Sequence, residues 1–140
     1  MINEFHEDRR QCTDLINAFA YYVDHRLFSD AVSLFSEGGS FIRPDGVKKG
    51  HTEIASLWEG RPETVVTRHL VGAPFFLSAT GTEAESVTQC TIYQAEGDGK
   101  APPAVKGPIG VAEFHDHFVK TPGGWKFSRR EVTPAIIQSP

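Results

Sequence analysis

The sequence predicts an α+β domain, because three amphipathic helical segments come first and four β-branched and aromatic segments follow, divided by glycine and proline clusters. The leading helix runs from about residue 8 to residue 26. There Cys12, Leu15, Ile16, Phe19 and Val23 recur at three- and four-residue steps and share one buried face. Ile16, Ala20 and Asp24 are successive i, i+4 neighbours, so Asp24 sets an ionisable group at the border of the core.

A second helix starts at Ser29 as N-cap and reaches Phe35, with Phe28, Val32 and Phe35 on one side, and Gly38 and Gly39 end it. Residues 40–43 make a brief strand before the turn Pro44-Asp45-Gly46. Residues 51–58 form a third helix with Ile54, Leu57 and Trp58 inward, stopped by Gly60-Arg61-Pro62. The strands are residues 64–77, 85–95, 109–120 and 125–132. In the third, alternation places Ala112, Phe114, Asp116 and Phe118 inward and Glu113, His115 and His117 outward. Residues 96–108 read as a long hairpin loop or flap and Thr121-Pro122-Gly123-Gly124 as a tighter turn. Residues 133–140 read as a loose tail of a single domain spanning 1–140.

The 140 residues suffice for one domain with a real core, and no apolar run approaches the roughly 18 residues of a membrane span. The formal net charge of −4, with lysines and arginines spread along the chain, offers no basic stripe for nucleic acid. The start MINEFHEDRRQC lacks a charged and apolar leader, so a cytoplasmic location is expected. Cys12 and Cys90 stand far apart without C-x-x-C spacing and read as buried thiols. Ten phenylalanines against three tyrosines and two tryptophans suit a core or pocket lined by aromatic faces.

Several pieces in order carry a resemblance that spans nearly the whole chain. They are Tyr21-Tyr22-Val23-Asp24-His25-Arg26, the helix start from Gly50 to Ile54, Arg61-Pro62, Val66-Thr67-Arg68-His69-Leu70, and the hairpin from Phe118 through Thr121-Pro122-Gly123-Gly124-Trp125 to Phe127. Together they resemble the SnoaL-like group of the NTF2-like superfamily. The resemblance implies a cone-shaped barrel, a bent and mostly antiparallel sheet wrapped by three N-terminal helices, with a deep and mostly apolar cavity. That superfamily holds polyketide cyclases, dehydratases, isomerases, non-catalytic small subunits of ring-hydroxylating dioxygenases and binding modules, so the fold leaves the function to the site. Similarity to the scytalone dehydratase-like branch puts its helical catalytic Asp on Asp24 and the His of its T-x-H strand motif on His69. The chain departs from that branch at Cys90, Phe114 and Val23, where the branch has a His, an Asn and a Tyr. The departures imply a more apolar pocket and a different substrate.

A carboxylate beside an imidazole fixes one tautomer and leaves the other ring nitrogen free to move a proton. His69 is therefore expected as base and Asp24 as its partner, set against the plainer reading in which Asp24 only satisfies a buried His69. This reading gives a cofactor-independent lyase or isomerase acting on a small hydrophobic, aromatic or polycyclic molecule. Tyr21, Phe28, Phe41, Trp58, Cys90, Phe114 and Asp116 are its expected contacts. Asp116 can instead be the buried partner of Arg68 or Arg130, the favoured account of that residue. The alternative function is a non-catalytic binding or assembly module. His115 and His117 have metal-like spacing, but they sit on the outward face without an evident third ligand, so no metal is expected. With Glu113 they mark a contact surface for a homodimer or an oligomer built from dimers.

Overall fold

The structure, a computed structural model, describes residues 4–140. Helix α1 (His6–Asp24) forms as its periodicity requires, burying Cys12, Ile16, Phe19, Ala20 and Val23. Then come α2 (Phe28–Ser33), the hairpin β1 (Phe35–Arg43) and β2 (Gly46–Lys49), and α3 (Gly50–Ala55), which tightens into a 3₁₀ turn over Ser56–Trp58. Five further strands complete the chain: β3 (Val65–Val71), β4 (Phe75–Ala79), β5 (Glu83–Glu96), β6 (Gly110–Thr121) and β7 (Gly124–Ile137). No helix among the described residues is long and apolar enough to cross a membrane.

The seven strands form one sheet in the order β2-β1-β7-β6-β5-β3, with β4 also paired to β5. All pairings are antiparallel except β1 with β7. The sheet curls around the helices and stays open at its edges, the bent and mostly antiparallel sheet with three helices that the resemblance implies.

Other boundaries differ for local physical reasons. Leu27, not Ser29, is the N-cap of α2, and no side chain caps that helix. Phe35 opens β1 instead of closing α2, and Gly38 and Gly39 lie within the strand. Between Phe35 and Ser40 the pairing with β7 shifts register. A Cβ on Gly39 would stand 3.0 Å from the carbonyl oxygens of Phe127 and Ser36, so glycine permits this close approach. The single strand expected over 64–77 is two, β3 and β4, broken at Gly72-Ala73-Pro74. Both halves pair with the same side of β5, from Val71↔Cys90 on one side of the break and Phe75↔Val87 on the other.

The loose tail is also corrected. Strand β7 continues to Ile137, paired with β6 through Gly110, where a Cβ would come within 2.7 Å of the Ile136 carbonyl oxygen. Ile136 and Ile137 are 63% and 75% exposed, so this backbone is fixed by its ladder while its side chains reach solvent.

The core gathers around Phe19. Its ring meets Phe35, Phe41 and Phe127 edge-on at centroid distances of 6.1, 5.6 and 6.2 Å. Alternation along β6 holds as read, with Ala112, Phe114, Asp116 and Phe118 all buried. Asp116 meets Arg130, its cross-strand partner on β7. Arg130 Nε and Nη2 donate to the two carboxylate oxygens at 2.8 and 3.1 Å, and both side chains are wholly inaccessible. Arg68 is exposed and donates instead to the Thr67 carbonyl at 2.6 Å. Burial pushes the Asp116 carboxyl up, and the guanidinium opposes that push.

Asp116→Asn leaves the Arg130 charge buried without its counterion, and chemical denaturation should register a loss of about 3–5 kcal/mol. The double replacement Asp116→Leu with Arg130→Met should lose less than Asp116→Asn alone. Wild-type stability in Asp116→Asn would show that the pair is dispensable.

Candidate active site

Thr67 and His69 lie on the inner face of β3 because side chains alternate along the strand, and that face packs against the end of α1. There Asp24 closes the helix. His25 follows, and Arg26 takes a left-handed backbone with φ of 60°. The Leu27 N–H bonds the Tyr22 carbonyl at 2.7 Å, closing the terminus as glycine usually does. The Arg26 guanidinium donates to the carbonyls of Arg61 and Pro62 at 2.8 and 3.2 Å, so the helix end also pins the loop before β3.

Asp24 is saturated from β3. Its Oδ1 accepts from Thr67 Oγ1 at 2.9 Å and from His69 Nδ1 at 2.6 Å, and its Oδ2 accepts from the His69 backbone N–H at 2.8 Å. The Asp24 and His69 side chains are 8% and 15% exposed. Desolvation pushes the Asp24 carboxyl up, but the bonds from His69 and Thr67 outweigh it and hold the group below its ordinary value. A carboxylate can only accept, so His69 carries its proton on Nδ1 and keeps Nε2 as a free acceptor.

A cavity of about 230 Å³ opens at His69. Its apolar wall is Phe19, Phe41, Pro44, Ile92, Phe114 and Val132, and its polar groups are His69, Thr67, Gln94, Arg43 and Arg61. Asp24 does not line the cavity and acts on it through His69. A larger open groove of about 530 Å³ lies across the outer face of β3 and β5 under residues 97–105, lined by Val66, Arg68, Tyr93, Pro102 and Pro103 among others. Neither member of the Asp24–His69 pair reaches it. The smaller cavity is therefore the candidate site.

Of the expected contacts, Phe41 and Phe114 line this cavity and five residues do not. Tyr21 is 56% exposed on the solvent side of α1, its ring 4.3 Å from that of His25. Phe28 and Trp58 stack on each other, 5.3 Å between centroids and 3° from parallel. The Arg61 guanidinium lies 5.9 Å from the Phe28 ring centroid, which makes the stack a support for Arg61. Cys90 is fully buried against Ala112 and Phe114, and burial pushes its thiol up to about 11, which removes it as a nucleophile. Asp116 is committed to Arg130. Arg43, Arg61 and Gln94 were missed. Gln94 was legible, since it alternates with Cys90 and Ile92, but the arginines reach the cavity from loop and strand ends that carry no periodicity. They also correct the expectation of an unusually apolar pocket.

On the outer face, His115 and His117 stand with rings 5.1 Å apart, and Glu85 of β5 joins them. Glu85 is 30 residues from His115, so spacing along the chain does not reveal it as a third ligand. The ground for expecting no metal there is gone.

Because its hydrogen bonds hold the Asp24 carboxyl below 3.8, the stability it confers is full above that value and is lost as pH falls through the lower folded value. Asp24→Asn should therefore cost about 2 kcal/mol near neutrality, a gap that narrows in acid. Denaturation at a series of pH values measures it. A gap constant across the acid range would contradict the assignment.

No functionally curated protein matches the sequence. Among solved structures the chain is similar to a candidate scytalone dehydratase from Novosphingobium aromaticivorans, with 20% identity and a TM-score of 0.82 over 99% of this chain and 91% of that one. It is similar to a candidate aromatic ring hydroxylase from the same organism, with 18% identity and a TM-score of 0.78 over 96% and 91%. ActVI-ORFA from Streptomyces coelicolor gives 18% identity and 0.74 over 91% and 96%. At these identities the likeness is one of fold. The SnoaL-like domain family matches residues 4–131, nearly the whole chain and both members of the Asp24–His69 pair. The chain belongs to the SnoaL-like domain family.

Proposed function

We propose that the protein is a cofactor-independent proton-transfer enzyme of the lyase or isomerase type. The observation that carries this reading is the single bond from His69 Nδ1 to a buried Asp24, on a ring that lines a cavity. The free Nε2 removes a proton from a carbon next to a carbonyl, and Asp24 stabilises the imidazolium that forms. The electron pair left on carbon moves onto the carbonyl oxygen as an enolate. His69 then returns the proton at another carbon, which is isomerisation, or a β-hydroxyl leaves with that proton as water, which is dehydration.

Arg61 is suited to the enolate oxygen. Burial and the nearby guanidinia of Arg26 and Arg43 lower its proton affinity, so a developing negative charge relieves an unfavourable arrangement. The space of about 230 Å³ exceeds the roughly 150 Å³ that admits benzene, and suits one substituted ring or a small fused pair.

A non-catalytic binding or assembly module is the second reading, favoured by the fold likeness to the candidate ring hydroxylase. It leaves the fixed tautomer of His69 without a task. A homodimer remains part of the proposal for either reading, checked by light scattering.

The test is deuterium incorporation from D₂O next to the carbonyl in a panel of one- and two-ring aromatic ketones, followed by NMR. Wild type should exchange at least one member. His69→Ala should abolish the exchange, and Asp24→Asn should slow it about 10²–10⁴-fold. Arg61→Met should lower it with the fold intact. Undiminished exchange in His69→Ala would end the enzymatic reading.

A further inference from the structure

We infer that Glu85, His115 and His117 form a binding site for a transition-metal dication on the outer face of the sheet, separate from the cavity at His69. Strand alternation turns both imidazoles to one side of β6, and Glu85 lies directly opposite His117 on β5. One ligand atom from each residue falls within 4.8 Å of the others. Both Nε2 atoms converge on a single carboxylate oxygen. His115 Nε2 is in contact with Glu85 Oε2, and His117 Nε2 is 3.6 Å from the same atom.

The imidazole rings stack at 5.1 Å and 24°, which aligns the two nitrogens toward one point. Zinc bonds of about 2.0–2.2 Å set tetrahedral ligand atoms about 3.3–3.5 Å apart, so small side-chain rotations close the set. The side chains of Glu85, His115 and His117 are 28%, 36% and 38% exposed, open enough for an ion to enter and held on two paired strands.

The charges around the cluster allow a dication. Arg129 is the β7 register partner of His117, but its guanidinium turns to Glu131 at 3.3 Å, and Glu131 is the register partner of His115. Asp116, between the two histidines in sequence, points to the other face and is neutralised by Arg130. Two imidazoles and one carboxylate select Zn²⁺, Co²⁺, Ni²⁺ or Cu²⁺ over Mg²⁺ and Ca²⁺, which prefer oxygen. Three protein ligands leave a fourth position for water or an added ligand, and a bound ion clamps β5 to β6.

The experiment titrates untagged full-length protein with Zn²⁺ and Co²⁺ by calorimetry, with the visible absorption of Co²⁺ as a report of low coordination number. One equivalent per chain is expected, with a rise in Tm on adding Zn²⁺ and none with Mg²⁺. Glu85→Gln and His117→Asn should each weaken binding at least tenfold with the circular dichroism unchanged. The pair His115→Ala with His117→Ala should abolish it, and His25→Ala should leave it intact. Failure to bind micromolar Zn²⁺, one ion per two chains, or undiminished binding in the double variant would each overturn the site.

Discussion

Asp116 and Arg130 face each other across β6 and β7 with neither side chain reaching solvent, and three aromatic rings close around the guanidinium. Its carbon lies 4.7 Å from the centroid of Phe19, 4.1 Å from that of Phe114 and 4.6 Å from that of Phe127. Each ring belongs to a different element, so the charge holds α1, β6 and β7 in one arrangement. Desolvating two ions is costly, and only two good hydrogen bonds with faces of aromatic rings make the arrangement tenable. Phe19 and Phe114 also line the cavity. The packing that stabilises the sheet thus also shapes the wall a ligand would meet.

Helix α1 carries a second dependence. Its apolar stripe fixes its rotation against the sheet, and that rotation delivers Asp24 to β3, where three donors converge on it. Arg26, two residues later, has a left-handed backbone and gives two hydrogen bonds to the loop that carries Arg61. The Asp24–His69 pair and the loop that carries Arg61 are therefore positioned by the last residue of α1 and the residues just after it.

What could be read from the sequence was what repeats. The face of α1, the inward row of β6 and the Asp24–His69 pairing came from periodicity and from motifs in a familiar order. Features decided by long-range pairing could not be read so. The division of 64–77 depends on β5 serving two edge strands, and the end of β7 depends on a ladder with β6, while its outward isoleucines look like an unstructured tail. Tyr21 sits one residue past Ala20, which on a helix turns a pocket aromatic into a solvent one. Glu85 needed the register of two strands before it could be placed beside His117.

Strand β6 is written on both sides. Phe114, Asp116 and Phe118 serve the interior, while His115 and His117 between them serve the exterior. Substitution can change one side without the other, but insertion or deletion of one residue exchanges the two, sending an imidazole into the aromatic cage and a phenylalanine into water. Divergence in this strand is thus confined to replacement, while length variation is left to its flanks, such as the irregular segment after Glu96.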